Sequence, residues 1–87
     1  MLKADGFDDC IIGFAEVWDG NKRFHRIVYD ALKMVEVLMD RDGMSHEEAM
    51  EYFEFNINCA YHGQGTPIYM FRSNLETIEE FAESLDD

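Results

Sequence analysis

Between Cys10 and Tyr29 the apolar positions form two runs, CIIGFAEVW and RFHRIVY, both rich in β-branched and aromatic residues. They flank the turn-forming stretch Asp19-Gly20-Asn21-Lys22, so residues 10–29 read as a β-hairpin. Pairing Trp18 with Asn21 or with Arg23 leaves the same residues on the same faces, because side chains alternate with period two. Ile12, Phe14, Glu16 and Trp18 then share a face with Arg23, His25, Ile27 and Tyr29, while Ile11, Ala15 and Val17 share the other with Phe24, Arg26 and Val28. Both faces are substantially apolar, which is unusual for a hairpin that shows one side to water. A covering layer is expected on the second face.

Beyond Tyr29 the spacing lengthens to that of helices. Asp30 can cap a helix running to about Arg41, in which Lys33, Glu36 and Asp40 form a narrow polar stripe. Leu32, Met34, Val35, Leu38 and Met39 fill the remainder, so this reads as the central buried helix. Gly43 is placed to end it, and Ser45 with Glu48 makes a capping box that opens a second helix. There Glu47, Glu51, Glu54 and Asn58 lie on one side, and Ala49, Met50, Phe53, Ile57 and Ala60 on the other. The loop His62-Gly63-Gln64-Gly65-Thr66-Pro67 leads into a short strand, Ile68 to Phe71. Ser73 and Glu76 repeat the capping-box pattern before a last helix, which directs Leu75, Ile78, Ala82 and Leu85 to the core and Glu76, Glu79, Glu80 and Glu83 outward. The predicted architecture is α+β: one domain, residues 1–87, of order ββααβα, with a three-stranded antiparallel sheet packed with three helices. Residues 1–8 are expected to be loosely ordered.

Composition narrows the function classes. Apolar residues make up 47% of the 87, which suits a folded domain of modest stability for which association is a common remedy. Nineteen Asp and Glu against seven Lys and Arg give a net charge of -12, and Lys22, Arg23 and Arg26 are the one local basic group. Direct binding to nucleic acid or to an anionic membrane is therefore not expected. The start, MLKADGFDDC, lacks the apolar core of a signal peptide, and no apolar run approaches the roughly 20 residues that span a bilayer. A cytoplasmic protein with Cys10 and Cys59 reduced is the simplest reading, with a single disulfide between them as the alternative.

Residues 41–68, RDGMSHEEAMEYFEFNINCAYHGQGTPI, resemble a pattern found in small tailed-phage proteins, a family without an assigned activity. The resemblance implies a viral source and the cytoplasm of an infected bacterial cell, and it carries over no catalytic residue, cofactor or ligand set. A phage chain this short is more often a modulator of a host factor than an enzyme.

Candidate chemistry is sparse. With Gly43 in the sixth place of a calcium loop, the first ligand place falls on Leu38 and the bidentate acidic place on Ala49, so a helix C-cap followed by a capped helix explains Asp40, Asp42, Glu47 and Glu48. Zinc ligands could be sought in Cys10, His25, Cys59 and His62, but Cys59-x-x-His62 is one close pair where structural sites show two. Gly63-x-Gly65 lacks the lysine of a phosphate loop. His25 near Glu16 reads as a cross-strand polar pair rather than a proton relay. No catalytic, metal or cofactor site is assigned.

Two surfaces remain. Phe14, Trp18, Arg23, His25 and Tyr29 on one hairpin face are of the types enriched in interface hot spots, so the leading expectation is a non-enzymatic interaction module that binds a host or phage protein, or itself as a homodimer. The alternative is mimicry of nucleic acid by the acidic row Glu76, Glu79, Glu80 and Glu83, continued by Asp86 and Asp87, against a basic DNA- or RNA-handling protein. A small hydrolase built on His25, His62 and neighbouring carboxylates is the third reading.

Overall fold

Tyr29 and Asp30, where the second strand passes into the first helix, organise the chain. The structure is a computed structural model, and it describes residues 1–58, 60 and 63–85. Strands β1 (Ile11–Asp19) and β2 (Lys22–Asp30) form the hairpin, α1 (Ala31–Asp42) and α2 (His46–Tyr52) follow, and β3 (Ile68–Met70) and α3 (Leu75–Leu85) complete the α+β order. A 3-10 turn, Asp8–Cys10, precedes β1, and a π-helical segment, Phe53–Asn58, continues α2.

Local rules account for most element boundaries. Asp19 pairs with Lys22, which leaves a two-residue turn with Gly20 at φ 63°, the position where a type II′ turn requires glycine. Asp30 caps α1 by accepting the Lys33 N–H, and Gly43 ends it in the left-handed conformation at φ 69°. The Ser45 hydroxyl accepts the Glu48 N–H at 3.2 Å while the Glu48 carboxylate accepts the Ser45 N–H at 3.0 Å, a complete capping box. At α3 the cap is Asn74 rather than Ser73: its Oδ1 accepts the Thr77 N–H at 2.8 Å.

The sheet order is β1-β2-β3, and β3 lies parallel to β2, with Val28 opposite Ile68 and Tyr29 opposite Tyr69. This corrects the expected all-antiparallel sheet. The reason is the connection: residues 31–67, with two helical segments, are long enough to return the chain to the starting end of β2, which a parallel neighbour requires. A bulge between Ile11 and Gly13 brings Ile11 opposite Tyr29, the place that strict alternation would give to Ile12.

The core gathers at one end of this sheet. Tyr29 and Phe53 are fully buried there with Ala31, Met34, Val35, Leu38 and Ala49. Tyr69 ties them together, its ring 5.9 Å from Tyr29 and edge-on to Phe53 at 5.5 Å. Burial raises the Tyr69 phenol above its ordinary value. Leu32, expected inside, is exposed, because the buried stripe of α1 runs through Ala31, Met34, Val35 and Leu38 instead.

The two ends of the described chain differ in cover. Within residues 1–8, Phe7 is buried, the Ala4 N–H donates to the Tyr29 hydroxyl at 2.8 Å, and Arg41 donates to the Gly6 carbonyl at 2.9 Å with its guanidinium over the Phe7 ring, while the other residues of the segment are exposed. These contacts give a buried hydroxyl a partner and an apolar ring cover. In contrast, α3 buries no residue; Leu75, Ile78, Phe81 and Leu85 are all exposed, so the face read as core has no cover from the described residues. The radius of gyration, 14.5 Å, exceeds the roughly 12 Å of a close-packed chain of this length, as projecting elements demand.

Asp30 has a second duty. Its carboxylate accepts a hydrogen bond from Arg72 at 2.9 Å, which fastens the end of β2 to the segment after β3. Burial pushes this carboxyl up, but the Arg72 guanidinium and the N–H groups of Lys33 and Leu32 outweigh it and hold it below its usual range. The stability it contributes is therefore complete above its unfolded value of about 3.9 and lost as pH falls through the lower folded value. In urea titrations, Arg72→Gln should lose less stability than the wild type on acidification from about pH 4 to pH 2, since less of the shift remains to be lost. The π-helical segment gives a second test, because Phe53 is 0% exposed and Phe55 73% exposed. Phe53→Ala should cost about 3–5 kcal/mol, and Phe55→Ala no more than about 0.5 kcal/mol, both read by denaturant unfolding.

Candidate functional site

The outer half of the hairpin carries the candidate surface. Trp18 pairs with Arg23, Glu16 with His25 and Phe14 with Ile27, which sets these side chains on one face of the sheet. They touch one another in sequence. The Phe14 and His25 rings are 5.8 Å apart, His25 Nε2 lies 3.4 Å from Glu16 Oε1, the Arg23 guanidinium is 3.8 Å from the same oxygen, and its carbon stands 6.0 Å from the Trp18 ring centre. A row of two aromatic rings, an imidazole, a guanidinium and one carboxylate results. The carboxylate is matched by its neighbours, and the rings are not: Phe14 is 65% and Trp18 62% exposed.

Four of the five residues expected to form a docking face are thus brought together, and Tyr29 is not among them. It lies on the same face by alternation, but at the end covered by Phe53 and Tyr69, with its hydroxyl occupied by Ala4. Tyr29 belongs to the core and is withdrawn from the surface. The opposite hairpin face is half-buried at Val17, Phe24, Arg26 and Val28, and the loop before β3 reaches it. There Arg26 donates to the Gln64 carbonyl at 2.9 Å, and Gln64 donates to Asp19 at 3.3 Å.

β1 has β2 on one side and no described strand on the other. Along a strand edge, alternate residues direct their N–H and C=O groups outward, so the edge of β1 adjoins the exposed rings with backbone donors and acceptors that no described strand takes up.

A second concave region went unrecognised in the sequence. A cleft of about 700 Å³ lies between β3 and α3, lined among others by Ile68, Met70, Phe71, Ile78 and Phe81. Its signal was present in the apolar stripe of α3, which was assigned to a core it does not join. On that helix Glu76, Glu79, Glu80 and Glu83 are all exposed and no Lys or Arg occurs, so the acidic row is intact; Asp86 and Asp87 lie outside the described residues.

Of the Cys and His residues weighed for catalysis or metal binding, the two described, Cys10 and His25, lie in different parts of the fold. Cys10 is buried in the core cluster, where loss of hydration pushes its thiol up and away from the reactive thiolate. His25 faces Glu16 on the half-open sheet face. Among the described residues no three His, Cys, Asp or Glu side chains gather as a metal site would need. Cys59 and His62, and with them the disulfide, zinc and hydrolase readings, lie outside the described residues. No described helix is long and apolar enough to cross a membrane.

No family model matches the chain. No curated protein and no solved structure matches it either.

Proposed function

We propose that this chain is a non-enzymatic protein–protein interaction module that docks through the outer half of its hairpin, with Phe14 and Trp18 as anchors and Arg23 and His25 as polar flank. The observation that carries the reading is the pair of rings, more than 60% exposed, beside a carboxylate already matched by Arg23 and His25. Trp, Tyr and Arg concentrate binding energy when a partner removes them from water, and a matched carboxylate costs less to desolvate than a bare one. The resemblance of residues 41–68 to small tailed-phage proteins gives the proposal its setting, the reducing cytoplasm of an infected bacterium, with a host or phage protein or a second copy as partner.

The acidic mimic remains the second reading, favoured by the exposure of four carboxylates on a helix without a single basic residue. The two readings differ in their response to salt, since screening weakens carboxylate contacts and leaves apolar ones in place.

Affinity capture from a bacterial lysate at low and high salt tests both. A partner bound through the rings survives high salt and is lost with Phe14→Ala/Trp18→Ala, whose folded spectra and unfolding midpoint should match the wild type. Retention of the same partner by that variant would remove the hairpin reading. A basic partner released by salt, and lost when Glu76, Glu79, Glu80 and Glu83 are changed to Gln, would establish the acidic one.

A further inference from the structure

We propose that the partner of the hairpin is a second copy of this chain, joined edge to edge through β1 in an antiparallel, two-fold pairing centred on Ala15. The inference rests on the hairpin reading above and gives it a named occupant.

The backbone comes first. β1 is nine residues long and ends the sheet, with no described strand on its outer side. Natural proteins protect such edges with Lys, Pro, inward charge or a covering loop. Between Ile11 and Trp18 there is neither Lys nor Pro; the bulge at the Ile12 end and the single charge of Glu16, faced by Arg23 and His25, are the devices present. No described strand covers the edge, which is apolar and long enough for strand addition.

Charge then selects the occupant. Two molecules that each carry -12 repel over most of their surfaces. Residues 10–18 hold one charge, Glu16, which Arg23 and His25 already face. The adjoining turn and strand add Lys22, Arg23 and Arg26, and no other local stretch of the chain holds three basic residues. The hairpin is therefore the part of the surface where two copies approach with least acid-to-acid repulsion.

Register completes the case. An antiparallel pair that overlaps all of Ile11–Asp19 has its two-fold axis at Ala15, because that residue is the midpoint of the strand. Ala15 then opposes Ala15, Gly13 opposes Val17, and Phe14 opposes Glu16 of the other copy. Glu16 does not meet its own symmetry mate, as it would if the axis passed through it. On the exposed face Phe14 becomes the diagonal neighbour of both Phe14 and Trp18 across the axis, a spacing of about 7–8 Å that aromatic side chains can bridge. Trp18 comes to lie between Arg23 of its own chain and the bulged Ile12 end of the other. The register of greatest overlap thus gathers the four exposed rings, and the contact is self-complementary and closed.

Cysteine crosslinking in a Cys59→Ala background reads this register directly. The remaining native thiol, Cys10, is buried, and a Cβ placed on Gly13 meets no atom within 4 Å, so the probe at Gly13 has room. Under mild oxidation Ala15→Cys should become a covalent dimer as its major species. Gly13→Cys and Val17→Cys should each stay uncrosslinked alone and give a mixed dimer when combined. Light scattering of the wild type should show a dimer that strengthens with added salt as the net repulsion is screened, and Trp18→Ala should weaken it at least tenfold. If Ala15→Cys crosslinks no more than Ser84→Cys on α3, the pairing is wrong. A wild type that stays monomeric at high concentration, with and without salt, also overturns it, while the hairpin reading is judged separately by whether the lysate capture is lost with the two rings.

Discussion

The whole arrangement depends on the burial of Tyr29. Its ring is the contact through which β2 meets Tyr69 on β3, which in turn meets Phe53 from the helical layer, and its hydroxyl receives the Ala4 N–H. One side chain therefore joins the amino-terminal segment, the central strand and the carboxy-terminal strand. Asp30, next in sequence, starts α1 and receives Arg72. In so small a chain these two positions replace what a larger domain distributes over a broad core.

Concentrating the core at that end leaves the rest of the molecule lightly covered. The far half of the hairpin extends past the helical layer, and α3 projects with its apolar stripe open to solvent. Most carboxylates lie on the helices, and three of the seven basic residues, Lys22, Arg23 and Arg26, sit at the hairpin turn and the start of β2. Hydrophobic exposure and relief from negative charge thus coincide on β1 and its turn, whereas on α3 hydrophobic exposure sits beside four carboxylates and no base. The two bare surfaces are chemically unlike, and that difference gives β1 the stronger claim to self-association.

What could be read from the residues was whatever local chemistry determines. Asp30, Gly43 and the Ser45–Glu48 box act within a few residues, and α1 begins and ends, and α2 begins, where they require. The hairpin and its face assignment followed from alternation between two apolar runs. Alternation says which face a side chain takes but not how far along the strand the cover extends, so Tyr29 was grouped with Trp18 although one is in the core and the other in water. The direction of β3 was not legible, because it depends on where residues 31–67 deliver the chain. The stripe on α3 showed that a face needs cover without showing that the domain withholds it. The π-helical turn, which parts Phe53 from Phe55, left no recognisable mark in the sequence.

The parallel union of β2 and β3 has a consequence for how the chain assembles. Strand pairing across the Gly20-Asn21 turn joins near neighbours, while Val28 and Ile68 must find each other from opposite ends of a long intervening stretch. Closing that loop costs chain entropy before any contact repays it, so the hairpin and α1 are the natural early structure and the β3 union a late one. During that interval Tyr29 lacks Tyr69, and the nascent protein presents bare aromatic surface at both ends of the ribbon.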